Sequence, residues 1–307
     1  MEVVKNLDDF HFLDGGYVVA IGNFDGVHVG HQKIFSLLSE KAKNLGKKSL
    51  IITFEPNPKL FFNNQDNFLL TTTDEKIGII KSIYQIDRIL VLPFNDDLKS
   101  LRPKDFIKKV LFEKINTKFL IVGENFRFGD GQSGDVNLLQ EYFQNNLHVV
   151  SLQKVSEHIC SSSFIKKCLK NGEIEIANKL LGYPYFIDDV VIEGNKLATK
   201  IGFPTINIRN HFKILPKFGV YIVFVIVDGR RFNGVANLGI RPTIDQNGQQ
   251  ILEVHILNFS ENLYGKRVKV KFIQFIREER KFETLDKLIK QIDNDVREAK
   301  NLFELLL

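Results

Sequence analysis

Gly16-Tyr17-Val18-Val19-Ala20-Ile21-Gly22-Asn23-Phe24-Asp25-Gly26-Val27-His28-Val29-Gly30-His31 is the stretch that decides the fold. Tyr17 to Ile21 is an unbroken apolar run, the pattern of a strand buried on both faces. Gly22 to Gly26 holds the residue types that turn a chain tightly. From Gln32 to Leu45 the apolar residues recur at helical spacing, and Gly46 closes the run. Strand, glycine turn and helix make the first half of a βαβ unit.

Outward from this unit the alternation continues. SLIITF (49–54), RILVLPF (88–94), KFLIVG (118–123) and LHVVSL (147–152) read as strands. DEKIGIIKSIY (74–84) and PKDFIKKVLFEKI (103–115) read as helices between them. Strands separated by helices of this length predict right-handed crossovers and a Rossmann-like parallel sheet, with ligands at the carboxyl ends of its strands. Near residue 160 the pattern changes to one or two helices over SSSFIKKCLKNGEIEIANKLLG, punctuated at Gly172. After Tyr183-Pro184 come FIDDVVIEG, GVYIVFVIVDG, RRFNGVANLG, ILEVHILNF and RVKVKFIQFI, with turns at Asp228-Gly229 and around Gln246-Gly248. Short strands at this spacing predict a small antiparallel barrel. A last helix puts Leu285, Leu288, Ile289, Ile292, Val296, Ala299 and Phe303 on one face, to pack against it. The expected organisation is therefore an α/β domain over 1–182 and a β domain with a C-terminal helix over 183–307.

A chain of 307 residues exceeds the size at which one core usually stops growing, in keeping with two domains. Its charge is 42 − 37 = +5, with both signs interspersed. That suits anionic ligands but lacks the basic stripe of a nucleic-acid binder, so no nucleic-acid partner is expected. No run approaches the length of a membrane span. Cys160 and Cys168, without a CxxC pattern or a secretory leader, read as reduced thiols of a soluble cytoplasmic protein. Oligomeric state is not legible.

Two motifs carry chemistry. In the first, glycines let the backbone approach a phosphate, and helix N-terminal amides favour an anion. His28 and His31, three apart, share a helix face and point to charge stabilisation during in-line displacement. An isolated HxxH is more often structural, and a zinc site needs two further ligands that do not stand nearby. The strand-turn-helix setting favours phosphate. In the second, Gly202-Phe203-Pro204-Thr205-Ile206-Asn207, residues 205 and 207 of an extended segment point the same way. A Thr hydroxyl and an Asn carbonyl suit a hard cation held together with phosphates. Alone, such a string is more often a plain turn. Glu253, in an apolar strand, is the candidate general base, against the plainer reading of a surface glutamate beside His255.

GNFDGVHVGH resembles the GxFDGxHxGH form of the nucleotidyltransferase signature in prokaryotic bifunctional riboflavin kinase/FMN adenylyltransferases. TFEPNPKLFF (53–62), LTTTDEKIGII (70–80), LPFNDDLKSLRPKDFI (92–107) and VGENFRFGDGQSGD (122–135) continue the likeness. It implies that His28 and His31 contact ATP phosphates and the transition state. Gly22, Phe24, Asp25 and Gly30 would shape the nucleotide pocket, and Asn125, Phe126 and Arg127 a flavin wall. The family's SSTxIR motif reads here Ser161-Ser162-Ser163-Phe164-Ile165-Lys166, which would put Ser162, Ser163 and Lys166 on ATP. GFPTIN resembles the kinase GxPTAN motif, implying ATP contacts by Gly202, Thr205 and Asn207, Mg²⁺ on Thr205 and Asn207, and Glu253 as base. GVANLGIRPT (234–243), EVHILNF (253–259) and LYG (263–265) follow in order. The resemblance implies a cytoplasmic enzyme of FAD biosynthesis acting on riboflavin, FMN and ATP, with Mg²⁺. Ala198 and Thr199 depart from the family's glycine-rich loop, which leaves as an alternative an FMN adenylyltransferase with a weakened kinase module; an alternative of another class is a non-catalytic flavin- or nucleotide-binding regulator.

Overall fold

Tyr17–Ile21 is fully buried, and as β2 it forms the centre of a parallel sheet. The computed structural model describes the chain except residues 64–67, 156, 195–200, 210–212, 242–248 and 306–307; the side chains of 62, 63, 241 and 249 are likewise undescribed. The other strands of the sheet are β1 (Glu2–Val4), β3 (Lys48–Glu55), β4 (Arg88–Pro93), β5 (Thr117–Gly123) and β6 (Leu147–Val150), in the order β1-β4-β3-β2-β5-β6. All pair in parallel. Alternate residues of β2 feed two cores: Val19 and Ile21 pack with Leu50, Leu90 and Leu120, while Val18 and Ala20 pack with Phe35, Leu38 and Ile89. The sheet is thus covered on both sides, which is why its strands are continuous apolar runs.

Helix α1 (Val29–Asn44) follows the turn after β2, and Gly46 beyond it takes a left-handed φ of 60°. Helix α2 (Thr73–Ile83) is started by a reciprocal capping box between Thr72 and Glu75. Among the elements beyond the sequence reading are the edge strand β1, short helices over Pro58–Asn63 and Asp96–Ser100, a helix over Val136–Phe143 capped by Asp135, and a small antiparallel pair, β7 (Lys154–Val155) with β8 (His158–Ile159).

The second half closes six antiparallel strands into a barrel: β9 (Phe186–Ile192), β10 (Ile206–Arg209), β11 (Gly219–Val227), β12 (Arg230–Arg241), β13 (Gln249–Ile256) and β14 (Arg267–Arg277). Around the barrel they run β10-β13-β12-β11-β14-β9. The β11–β12 hairpin turns at Asp228 and Gly229, both at positive φ (48° and 77°), as a two-residue hairpin turn requires. The turn expected around Gln246-Gly248 lies outside the described residues. The last helix, α5 (Leu285–Leu305), docks through Ala299, Phe303 and Val296 onto Val220, Ile222 and Val235. Its apolar stripe is not buried along its whole length, because Leu285 is exposed. An ion pair holds the helix instead. Arg277 meets Asp295 in a two-pronged contact (Nε–Oδ1 2.9 Å, Nη2–Oδ2 2.7 Å), and Gln291 donates to the same carboxylate at 2.8 Å.

Chain contacts divide the molecule into Met1–Ser162 and Ser163–Leu307, ahead of the 182/183 boundary read from the sequence. The reason is that α3 (Ser162–Asn171) and α4 (Ile174–Leu181), separated by Gly172 at φ 82°, bond to the barrel. Lys217 N donates to Leu169 O at 2.9 Å, and Asn178 Nδ2 donates to Phe272 O at 2.9 Å.

Candidate active sites

In the first unit the chain leaves β2 through Gly22 and re-enters regular structure at His28, the N-cap of α1. Phe24 and Val27 both take positive φ (50° and 41°), which is costly for non-glycine residues and most of all for a β-branched one. The turn is held in this shape by the segment before α2. Leu70 N and Thr71 N donate to Asp25 Oδ1 at 2.9 and 3.2 Å, and Gly26 N donates to Thr71 Oγ1 at 3.0 Å. Ser162 Oγ donates to Asp25 O at 2.8 Å.

The turn presents two stacked imidazoles. The His28 and His31 rings lie 3.5 Å apart, inclined by 21°, and Phe24 closes edge-on against His31 at 5.2 Å. Two glycines make the room. A methyl group on Gly30 would lie 3.2 Å from the His28 ring, and one on Gly22 would lie 3.0 Å from the Phe24 ring. Neither Nδ1 has a hydrogen-bond partner among the described residues. Burial pushes His28 down to about 4. His31 keeps some exposed surface but lies deep at its ring; burial, then His28 and Lys76, hold it well below the usual histidine range. Both rings are neutral at physiological pH, each with one N–H to donate.

A histidine held below its unfolded value stabilises the fold only while it stays neutral, so that stability is complete above about pH 6.5 and is lost as the pH falls from there towards about 4. His28 alone should cost the first unit about 2 kcal/mol between pH 8 and pH 5. Pulse proteolysis of the intact chain in urea should show this slope, flattened in His28→Asn; an equal slope in the variant would exclude His28 as its source.

Beside the turn lies a cavity of about 600 Å³ walled by Phe54, Phe94, Phe106, Phe126 and Phe128. Asn125, Phe126 and Arg127 line it, as does Asn23 of the turn, which the sequence reading did not single out. The rings of Phe126 and Phe128 stack at 5.5 Å, and Lys59, Lys99 and Arg127 supply cations at the cavity wall. A flat apolar wall with cationic neighbours suits a planar aromatic ligand carrying negative charge. Of the SSSFIK residues, Ser162 reaches the turn; Ser163, exposed, and Lys166, half-buried, lie on α3 in the second unit.

In the barrel, strand register gathers the second set. Asn207 of β10 and Asn237 of β12 both stand opposite Glu253 of β13, so three polar residues lie abreast across adjacent strands. Thr205, Asn207, Asn237 and Glu253 line one cavity of about 480 Å³, with Val220, Val235, Phe282 and Ile292 on its apolar side. Asn207 is buried, and its carboxamide fits only because residue 194 is glycine: a methyl group there would lie 2.0 Å from Nδ2. Gly202 turns the chain at φ 89° before Pro204. His255 Nδ1 lies 2.9 Å from Pro204 O, bracing the GFPT segment against β13. A second cavity, of about 380 Å³, is bounded by Pro204, Thr205, Phe259 and Tyr264. Thr205 borders both. Asn237 escaped the sequence reading; an NLG string gives no sign of which strand it will face. Ala198 and Thr199 lie outside the described residues.

Residues 13–164 match the FAD synthetase family and residues 181–303 the riboflavin kinase family. A bifunctional riboflavin kinase/FMN adenylyltransferase of Buchnera aphidicola subsp. Schizaphis graminum is 38% identical over 313 residues, covering 100% of both chains. The chain belongs to the bifunctional riboflavin kinase/FMN adenylyltransferase family. Its Haemophilus influenzae relative of that name is 38% identical, with 99% of each chain covered. A Streptococcus pneumoniae crystal structure described as a macrolide-efflux protein superposes with a TM-score of 0.88 at 26% identity, covering 97% of this chain and 98% of that one. That description is of the other protein; among the described residues here no helix is long and apolar enough to cross a membrane. In this family context the parallel-sheet unit is the FAD synthetase module and the barrel the riboflavin kinase module.

Proposed function

We propose that the chain makes FAD from riboflavin in two ATP-dependent transfers, phosphorylation in the barrel and adenylylation beside the paired histidines. The observation that carries the reading is the convergence of Thr205, Asn207 and Glu253 on one cavity while His28 and His31 stack at another.

In the barrel, riboflavin takes the cavity that holds Glu253, and ATP takes the neighbouring one, so the γ-phosphate lies at Thr205 between them. The Glu253 carboxylate accepts the proton of the ribityl primary hydroxyl as its oxygen bonds to the γ-phosphorus; the bond to the β-phosphate oxygen breaks and ADP leaves. The Thr205 hydroxyl and Asn207 carbonyl are hard oxygen donors, and among the described residues there is no cluster of His, Cys, Asp and Glu that would cage a metal alone. That donor set fits Mg²⁺ shared with nucleotide phosphates. When bound, the ion neutralises charge on the phosphates. Gly202 supports the tight approach of the backbone.

In the first unit, FMN stacks in the aromatic cavity against Phe126, with Asn125 and Arg127 at its edge. An FMN phosphate oxygen attacks the α-phosphorus of ATP and pyrophosphate leaves. The neutral rings of His28 and His31 donate N–H to the oxygens on which charge builds, and Gly22, Phe24, Asp25 and Gly30 shape the turn that receives the nucleotide. Ser162 steadies the turn through Asp25 O. Ser163 and Lys166 are assigned to ATP on the likeness of their motif alone. A cytoplasmic location goes with these substrates. Relatives named as bifunctional over the whole length leave the adenylyltransferase-only and regulator readings without support.

Incubation of the purified chain with riboflavin, ATP and Mg²⁺, followed by chromatography of the flavins, should yield FMN and then FAD. FAD formed only when FMN is supplied would remove the kinase half, and no conversion of either flavin would remove both.

A further inference from the structure

One buried charge takes no part in the transfers described above. Lys76, in the first turn of α2, is only 4% exposed. Its Nζ donates to Asn23 O at 2.6 Å and to Thr53 Oγ1 at 3.0 Å, and Thr53 Oγ1 itself donates to Asn23 O at 3.2 Å. Three segments distant in sequence meet at this ammonium: the turn after β2, the end of β3 and the start of α2. Asn23 belongs both to the turn that leads to the histidines and to the wall of the aromatic cavity. The ammonium has three donors and two partners among the described residues. A neutral donor could satisfy a carbonyl and a hydroxyl; a buried cation costs far more to desolvate and is retained where its charge acts on something.

We infer that Lys76 is a positioning residue for adenylyl transfer, clamping Asn23 to Thr53 and holding a positive charge beneath the turn so that the histidine pair stays in register with the aromatic cavity. The inference rests on the adenylylation reading of this site. The groups that face the amine are Asp25 from the turn and Glu55 from β3, which favour its charge, and His31 from α1, whose protonation it opposes. Burial outweighs the two carboxylates and brings Lys76 down to about 8. Its charge is therefore present below that pH and disappears as the pH rises through it.

The test uses the full chain as wild type, K76R and K76M, assayed for FMN-to-FAD conversion across pH, with pulse proteolysis of the same samples as the control for folding of the first unit. Wild-type conversion should decline as the pH rises through about 8. K76R, whose guanidinium keeps its proton, should move that decline up by about one pH unit or more. K76M should lose the limb altogether, with kcat lower by about tenfold or more and KM for FMN changed far less. The inference is overturned if K76M keeps the wild-type kcat and the same alkaline limb, or if K76R leaves the limb where it was. Should proteolysis show that K76M misfolds, the position of the K76R limb decides alone. An active His31→Ala would overturn the adenylylation reading itself; an inactive His31→Ala beside a fully active K76M would overturn only the role of Lys76.

Discussion

Glu253→Gln should lower the rate of riboflavin phosphorylation by about 10²–10⁴-fold while FMN-to-FAD conversion stays near its wild-type rate. The substitution keeps the size and planarity of the side chain and removes only the ability to take a proton. Glu253 stands between Asn207 and Asn237 in the strand row, so an amide there still finds polar neighbours and the barrel should fold. The measurement is initial velocity for each half-reaction, with flavins resolved by chromatography. A wild-type kinase rate in Glu253→Gln would exclude this carboxylate as the base. An equal fall in both half-reactions would mean that the residue supports the whole chain rather than one reaction.

His31→Ala should have the converse effect, lowering FMN adenylylation by about 10²–10³-fold, the usual cost of losing one donor to a developing charge, with riboflavin phosphorylation preserved. The ring removed stacks on His28 at 3.5 Å and meets Phe24 edge-on, so its loss leaves a gap as well as a missing N–H. Comparison with His31→Gln, which keeps a donor of similar reach, separates the two: Gln should recover part of the rate. No recovery, together with a raised KM for FMN, would point to a collapsed wall instead of a lost donor.

The parts of the fold that were legible are those fixed by local pattern. Tyr17–Ile21 is apolar on both faces because the sheet is covered on both sides, and the glycine turn and histidines follow within a few residues. The Asp228-Gly229 turn was legible for the same reason. What the sequence hid depends on partners far along the chain. Strand β1 has three residues, two of them exposed, and exists by pairing with β4. The helix over Val136–Phe143 did carry a local sign, Asp135 accepting from Asn137 N and Leu138 N, in a stretch read only for its motif.

The sites divide in the same way. His28, His31, Thr205 and Asn207 stand in compact motifs, while Asn237 joins Glu253 only through strand register. Lys76 looks like any lysine at the solvated start of a helix; its carbonyl and hydroxyl partners lie at Asn23 and Thr53. The placement of α3 and α4 with the barrel was hidden too, since Tyr183-Pro184 marks a change of pattern and not the edge of packing.

One chain with two independent reaction centres should reveal them when two disabled chains are mixed. Glu253→Gln and His31→Ala, each alone with riboflavin, ATP and Mg²⁺, should make almost no FAD. Mixed in equal amounts they should make it readily, because FMN released by the His31→Ala chain is adenylylated by the Glu253→Gln chain. FAD that stays at the level of the better single variant would contradict the claim.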